Sequence, residues 1–251
     1  MKRLALALAF MPLLNLAAHA QTGLEGLIPA AGGAASGRIV QLVILLTVLS
    51  IAPGLLIMVT SFTRFAIALS FLRSGLGLQS TPANLVLISL SLFMTFYVMA
   101  PTFDRAWQDG IRPLTEDRIS EEEAFGRITD PFRDFMLSQV RPKDLQLFAD
   151  LALTRLPVAD RAESAPPPTA KVDLRVLIPA FMISELRRAF EIGFLIILPF
   201  LVIDMVVATL VMSMGMMMMP PALLSLPFKI LFFVLIDGWS LLVGGLVRSY
   251  F

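Results

Sequence analysis

The 251-residue chain has no cysteine and one histidine, His19. Without thiols it has neither a disulfide scaffold nor a thiolate metal site. Charge is scarce as well: Lys, Arg, Asp and Glu make up 16% of the residues, against about 25% in a soluble domain. The net charge is +1 and the basic residues form no stripe, so nothing here attracts nucleic acid. What fills the chain is apolar, with 57% hydrophobic residues and a mean hydropathy of +0.81. That excludes intrinsic disorder, whose signature is low hydrophobicity. It also exceeds the usual apolar share of a soluble domain, about 45–50%, and defines an integral membrane protein.

The charges are not spread evenly. Residues 104–175 hold 25 of the 39, 14 acidic and 11 basic. The chain therefore divides into an N-terminal hydrophobic helical block (21–103), a charged insert with a Pro-rich spacer (104–175) and a C-terminal hydrophobic helical block (176–251). Before them, residues 1–20 have the features of a cleaved secretory signal: Lys2 and Arg3, an apolar run, then Ala18-His19-Ala20 before Gln21. Cleavage between Ala20 and Gln21 removes the only imidazole and leaves the mature N-terminus outside the cytoplasmic membrane.

Four apolar segments, 39–60, 83–100, 192–214 and 222–247, are long enough for a hydrocarbon core of about 30 Å. Pro53 and Pro199 interrupt two of them, which suits helices packed against protein. The expected fold is an all-α membrane protein. About four long helices form two hairpin-like blocks around a small helical insert. The first inner loop is expected at 61–82, where Arg64 and Arg73 are the cytoplasmic-loop positive residues required by the positive-inside rule. The insert then lies outside, in the periplasm. Within it Ser120-Glu121-Glu122-Glu123 reads as a helix start with a capping box. Residues 145–156 read as a second helix, and Ala165-Pro166-Pro167-Pro168-Thr169 as a stiff spacer.

Ionisable groups inside apolar segments are costly and are functional candidates by default. Asp204 and Asp237 are expected to be buried charges. Arg187 and Glu191, four apart, can pair on one helix, whereas Glu185 lacks a basic residue at that spacing. A relay of titrating carboxylates and an assembly contact, with Lys229 meeting Glu185 on another helix or another copy, are both open. Assembly is favoured, because an unpaired buried ammonium costs far more than a paired one.

Met212-Ser213-Met214-Gly215-Met216-Met217-Met218-Met219-Pro220-Pro221 is the most unusual stretch. Flexible thioethers can be plain apolar filler, a soft ligand set for Cu(I) or a deformable ring that closes a pore by dewetting. Consecutive methionines on one turn cannot all converge on an ion, which disfavours the metal. No catalytic constellation is present: Ser184 and Ser213 lack a histidine base, and neither a phosphate loop nor a dinucleotide fingerprint occurs. No enzyme activity, cofactor or metal is expected.

Ordered blocks then carry a resemblance. Leu49-Ser50-Ile51-Ala52-Pro53, Thr60-Ser61-Phe62-Thr63-Arg64, Leu76-Gly77-Leu78-Gln79-Ser80-Thr81-Pro82 and Phe96-Tyr97-Val98-Met99-Ala100-Pro101-Thr102-Phe103-Asp104 come first. Pro179-Ala180-Phe181-Met182-Ile183-Ser184-Glu185-Leu186, Pro199-Phe200-Leu201-Val202-Ile203-Asp204, the methionine run, and Leu226-Pro227-Phe228-Lys229 through Asp237-Gly238-Trp239 follow. In order and spacing they resemble the FliP family of bacterial flagellar export-gate proteins. The resemblance implies a component of the flagellar type III secretion gate, required for flagellum biogenesis and sited in the inner membrane at the basal body. It implies self-association in about five copies and partnership with FliQ and FliR. FliB/FlhA-type export apparatus membrane proteins, membrane lipid and unfolded rod, hook and filament proteins are further partners. The family's helices pack largely within a raised hetero-oligomeric assembly. Its pore gasket maps to Met216, Met217, Met218 and Met219, and its inter-subunit ion pair to Glu185 and Lys229. The homologous injectisome gate protein is the alternative, followed by an ion-coupled small-molecule transporter.

Overall fold

A computed structural model describes residues 34–78, 82–154, 172–215 and 220–251. Among these every regular element is helical. Contacts divide the chain into two units, Met1–Pro53 and Gly54–Phe251. The described part of the first is the start of helix α1 (Ala34–Val59). There the hydroxyls of Thr47 and Ser50 donate back to the carbonyls of Val43 (2.7 Å) and Leu46 (2.9 Å). These bonds satisfy both polar groups within an apolar helix.

The second unit is organised around two helices that run side by side, α2 (Phe62–Leu76) and the 40-residue α7 (Leu174–Ser213). Arg64 meets Glu185, Phe71 meets Gly193 and Gly75 meets Phe200. Both numbers rise together, so the helices are parallel. Two glycines set their separation: a Cβ on Gly193 would lie 2.5 Å from the Phe71 ring, and one on Gly75 2.8 Å from the Phe200 ring. Each helix thus offers a notch to the other's phenylalanine.

Helix α3 (Asn84–Ala106) runs through a π-helical turn (Trp107–Ile111) into the short α4 (Arg112–Thr115). At that turn Gly110 lets Ile128 of α5 (Glu121–Gln139) approach to backbone distance. Helix α6 (Pro142–Thr154) lies against α7, as does α5. After α7 come α8 (Pro221–Leu235) and α9 (Gly238–Arg248), bent by 65° to one another.

Three apolar clusters hold the unit together. One joins Phe65 and Ala68 of α2 to Met94 and Val98 of α3, Leu246 of α9 and Tyr250. A second joins Leu72 and Leu76 of α2 to Phe200 and Phe233, and a third joins Met136 of α5 to Leu177 and Phe181 of α7. Fully burying a side chain such as Phe65 or Phe181 is worth about 1.5–3 kcal/mol. Through Met136 the charged insert shares this core and belongs to the same compact unit.

Residues 61–82, expected as an inner loop, instead contain α2, which supplies two of the three clusters. The physical reason lies in the spacing of Phe65, Ala68, Leu69, Leu72 and Leu76, an apolar stripe at helical period. Among the described residues two helices are long and apolar enough to cross a membrane, α7 and the continuous run Asn84–Thr115. There are up to four if each of two bent pairs counts as one span, Pro53–Val59 with Phe62–Leu76 (84°) and α8 with α9. At 1.5 Å per residue α7 is about 60 Å long, roughly twice a hydrocarbon core. Its first turns therefore pack with the insert while the remainder is long enough to span. The fourth expected segment, 222–247, is not one straight span but breaks at Asp237.

Candidate functional site

The sequence places a cation on the buried stripe of α2, and the fold answers it with a complete polar shell. Arg64 is 0% exposed. Its guanidinium has five N–H donors, and each finds an acceptor. Nε donates to Glu185 Oε2 at 2.9 Å and Nη2 to Glu185 Oε1. The second Nη2 hydrogen reaches Gln139 Oε1 at 3.3 Å. Nη1 donates to the carbonyl and hydroxyl oxygens of Ser249, at 3.0 and 2.9 Å. The guanidinium carbon also lies 3.6 Å from the centre of the Tyr250 ring, a cation–π contact.

Glu185, also 0% exposed, accepts in addition from the Tyr250 hydroxyl at 2.6 Å. Burial first, then the Glu185 carboxylate, raises the pKa of that hydroxyl well above its ordinary value, so it stays a donor. Gln139 carries the network outward by donating to the Tyr250 carbonyl at 3.3 Å and accepting from Arg188 Nη1 at 3.2 Å. Beside it, Ser184 Oγ lies 2.7 Å from Asp144 Oδ2 and accepts from the Arg141 backbone N–H at 3.1 Å. Helices α2, α5 and α7 and the C-terminus converge on this centre.

A second centre lies at the other end of α2. Lys229 of α8 is buried; its Nζ donates to Asp204 Oδ2 at 2.6 Å and to the Gly75 carbonyl at 3.0 Å. Ser225 Oγ donates to the remaining Asp204 oxygen at 2.6 Å. The ammonium thus sits at the C-terminus of α2, where unpaired carbonyls favour a cation. Gly77 there has φ +76°, and a Cβ on it would lie 3.8 Å from the ammonium.

These centres bear on several expectations. The resemblance joins Glu185 to Lys229 as a pair between subunits; within the chain Glu185 pairs with Arg64 and Lys229 with Asp204. Arg64 is not a solvated loop charge and drops out of the positive-inside count. Arg73 is half-buried in α2 and donates to Asn84 Oδ1. Asp204 is buried only in part, its side chain 34% exposed. Asp237 is exposed, at the bend between α8 and α9 in a left-handed conformation with φ 50°. The local pair Arg187–Glu191 forms at 2.9 Å on the surface. Met216, Met217, Met218 and Met219 lie outside the described residues, as do Ala20 and Gln21 at the expected cleavage site.

Tyr250, Gln139, Ser249 and Ser225 escaped the sequence reading. One signal was available: Arg64 falls on the same helical face as Phe65, Ala68 and Leu72, and a cation buried there demands an acid. Among the described residues no three His, Asp or Glu side chains converge as metal ligands would. Large apolar side chains face outward on α3, α7 and α8, Phe93, Met205 and Leu235 among them. A groove of about 570 Å³ between α7 and α8, lined by Val202, Val206, Leu210, Met214, Leu224 and Phe228, is almost wholly apolar.

Charged groups paired inside and large apolar residues outside define a helical protein of the membrane type. The family model for FliP matches residues 45–246, and the chain belongs to the FliP family. It is 62% identical over 218 residues to a protein named flagellar biosynthetic protein FliP from Rhizobium meliloti, covering 87% of this chain and 86% of that one. The protein of the same name from Bacillus subtilis is 51% identical over 211 residues, 84% of this chain and 91% of its own. The one from Aquifex aeolicus is 48% identical over 211 residues, 84% and 85% of the two chains.

Proposed function

We propose that this chain is a structural subunit of the flagellar export apparatus. In this reading it forms, with FliQ- and FliR-type subunits, the inner-membrane and periplasmic channel through which unfolded rod, hook and filament proteins leave the cell. The observation that carries the reading is the match to the FliP family over residues 45–246, shared with relatives named for flagellar biosynthesis. That naming favours the flagellar branch over the injectisome branch.

The outward apolar faces of α3, α7 and α8 support a place among lipid and other protein helices, since apolar patches of this extent are not left in water. Each ion pair has its partner within the chain, and the outward apolar faces offer the surface for association between copies. Residues 216–219 follow the end of α7 and precede α8, each a long apolar helix, and their methionines form the deformable closure of the pore. The insert faces the periplasm, and FliB/FlhA-type membrane proteins of the apparatus are neighbours.

Affinity purification of the tagged full-length chain from detergent-solubilised membranes tests this reading. Co-purification of FliQ- and FliR-type subunits with several copies of the chain is expected. Recovery of the chain alone, as a monomer, from membranes containing those subunits contradicts it.

A further inference from the structure

The C-terminus of α9 is fastened far more densely than α9 itself. Along the helix only Gly238 and Leu246 are buried, and Cβ atoms placed on Gly244 and Gly245 would meet nothing within 4 Å. Its start is Asp237, a non-glycine residue in the left-handed region (φ 50°, ψ 51°), where the chain turns by 65°. The two residues after Arg248 behave differently. Ser249 takes both hydrogens of Arg64 Nη1. Tyr250 donates to Glu185 at 2.6 Å and accepts from Gln139 at 3.3 Å. Its ring lies under the Arg64 guanidinium at 3.6 Å and packs on Phe65 at 5.5 Å and Phe135 at 5.9 Å. Helix α8, by contrast, has its own anchor in Lys229.

We propose that Ser249 and Tyr250 form a latch and α9 a strap. With the latch closed, Leu246 completes the cluster of Phe65, Ala68, Met94 and Val98. With it open, α9 swings about Asp237 and uncovers that apolar face of α2 and α3, while Lys229 keeps α8 in place. This is a conformational freedom of the chain itself and goes beyond the export reading.

The test uses the absence of cysteine, which makes any introduced thiol the only one. Leu246→Cys reports on α9, and Leu177→Cys, in the third cluster, reports on the rest of the unit. Each is placed in full-length chain in native membranes, with Tyr250 intact, Tyr250→Phe or Tyr250→Ala, and the rate of N-ethylmaleimide labelling is measured. The latch predicts labelling at 246 on the order of a hundredfold faster in Tyr250→Ala, the effect of removing a buried aromatic ring on a local opening. Tyr250→Phe, which keeps the ring, falls between, and position 177 is unchanged throughout. If Tyr250→Ala does not accumulate, the Tyr250→Phe pair decides alone. Parallel acceleration at 246 and 177 makes Tyr250 an ordinary core residue and overturns the latch, as does no acceleration at 246.

Discussion

Removing one partner of the Arg64–Glu185 pair is the sharpest perturbation of the packed unit. In Glu185→Ala the guanidinium keeps Ser249 and Gln139 as acceptors but loses its carboxylate partner, in a site with no solvent exposure. An uncompensated buried charge costs about 3–5 kcal/mol, a large part of the roughly 5–15 kcal/mol that holds a domain folded. Removing both charges is different, because apolar side chains need no shell. Arg64→Met with Glu185→Leu fills similar volume, and the Tyr250 hydroxyl still has the Ser61 carbonyl at 3.3 Å. The double variant should therefore recover to within about 1–2 kcal/mol of the parent. Denaturant unfolding of the purified chain in one detergent, followed by circular dichroism, measures all three. A Glu185→Ala variant within about 1 kcal/mol of the parent refutes the reasoning, and so does a double variant worse than the single.

The second centre gives a test of partner choice: Lys229→Glu sets two carboxylates together, and adding Glu185→Lys rescues nothing because Glu185 belongs to Arg64, whereas adding Asp204→Lys restores part of the loss. Membrane levels of the chain read this directly, and rescue by Glu185→Lys would falsify the intrachain pairing. Gly193→Ala forces a methyl against Phe71 and should cost about 1–3 kcal/mol; Gly126→Ala, with nothing within 4 Å, should gain about 0.4–1 kcal/mol, both read by the same unfolding assay. In Tyr97→Phe, Tyr250 is the sole tyrosine, and its tyrosinate absorbance should appear only well above pH 10. The folded state then holds a proton that the unfolded state releases, so stability falls as pH rises past 10. Replacing Met216–Met218 with Ala should raise ion conductance across membranes bearing the complex; unchanged conductance removes the gasket assignment.

Local chemistry was legible from the residues, and long-range partnership was not. Ser120 caps α5 as its spacing implied, accepting from the Glu123 N–H at 3.3 Å, although Glu123 turns to Arg127 at 2.7 Å instead of closing the capping box. Arg187 and Glu191 pair because four residues make one helical step. The partners of Glu185 and Lys229 lie 121 and 25 residues away, and no periodicity encodes that. Both charges need partners; the parallel packing of α2 on α7 supplies the one and the packing of α8 on α7 the other. The reading of 61–82 as a loop gave weight to Arg64 and Arg73 as solvated charges and too little to the apolar stripe between them. Asp237 reads as buried because its neighbours are apolar, but it lies exposed at the 65° bend between α8 and α9.

The most direct test of the functional account is an in-frame deletion of this gene with plasmid complementation, with hook protein and flagellin measured in the medium and in the cells. The account predicts that secretion of both is lost while the proteins are still made, and that the plasmid restores it. Normal secretion of flagellar subunits by the deletion strain would contradict it.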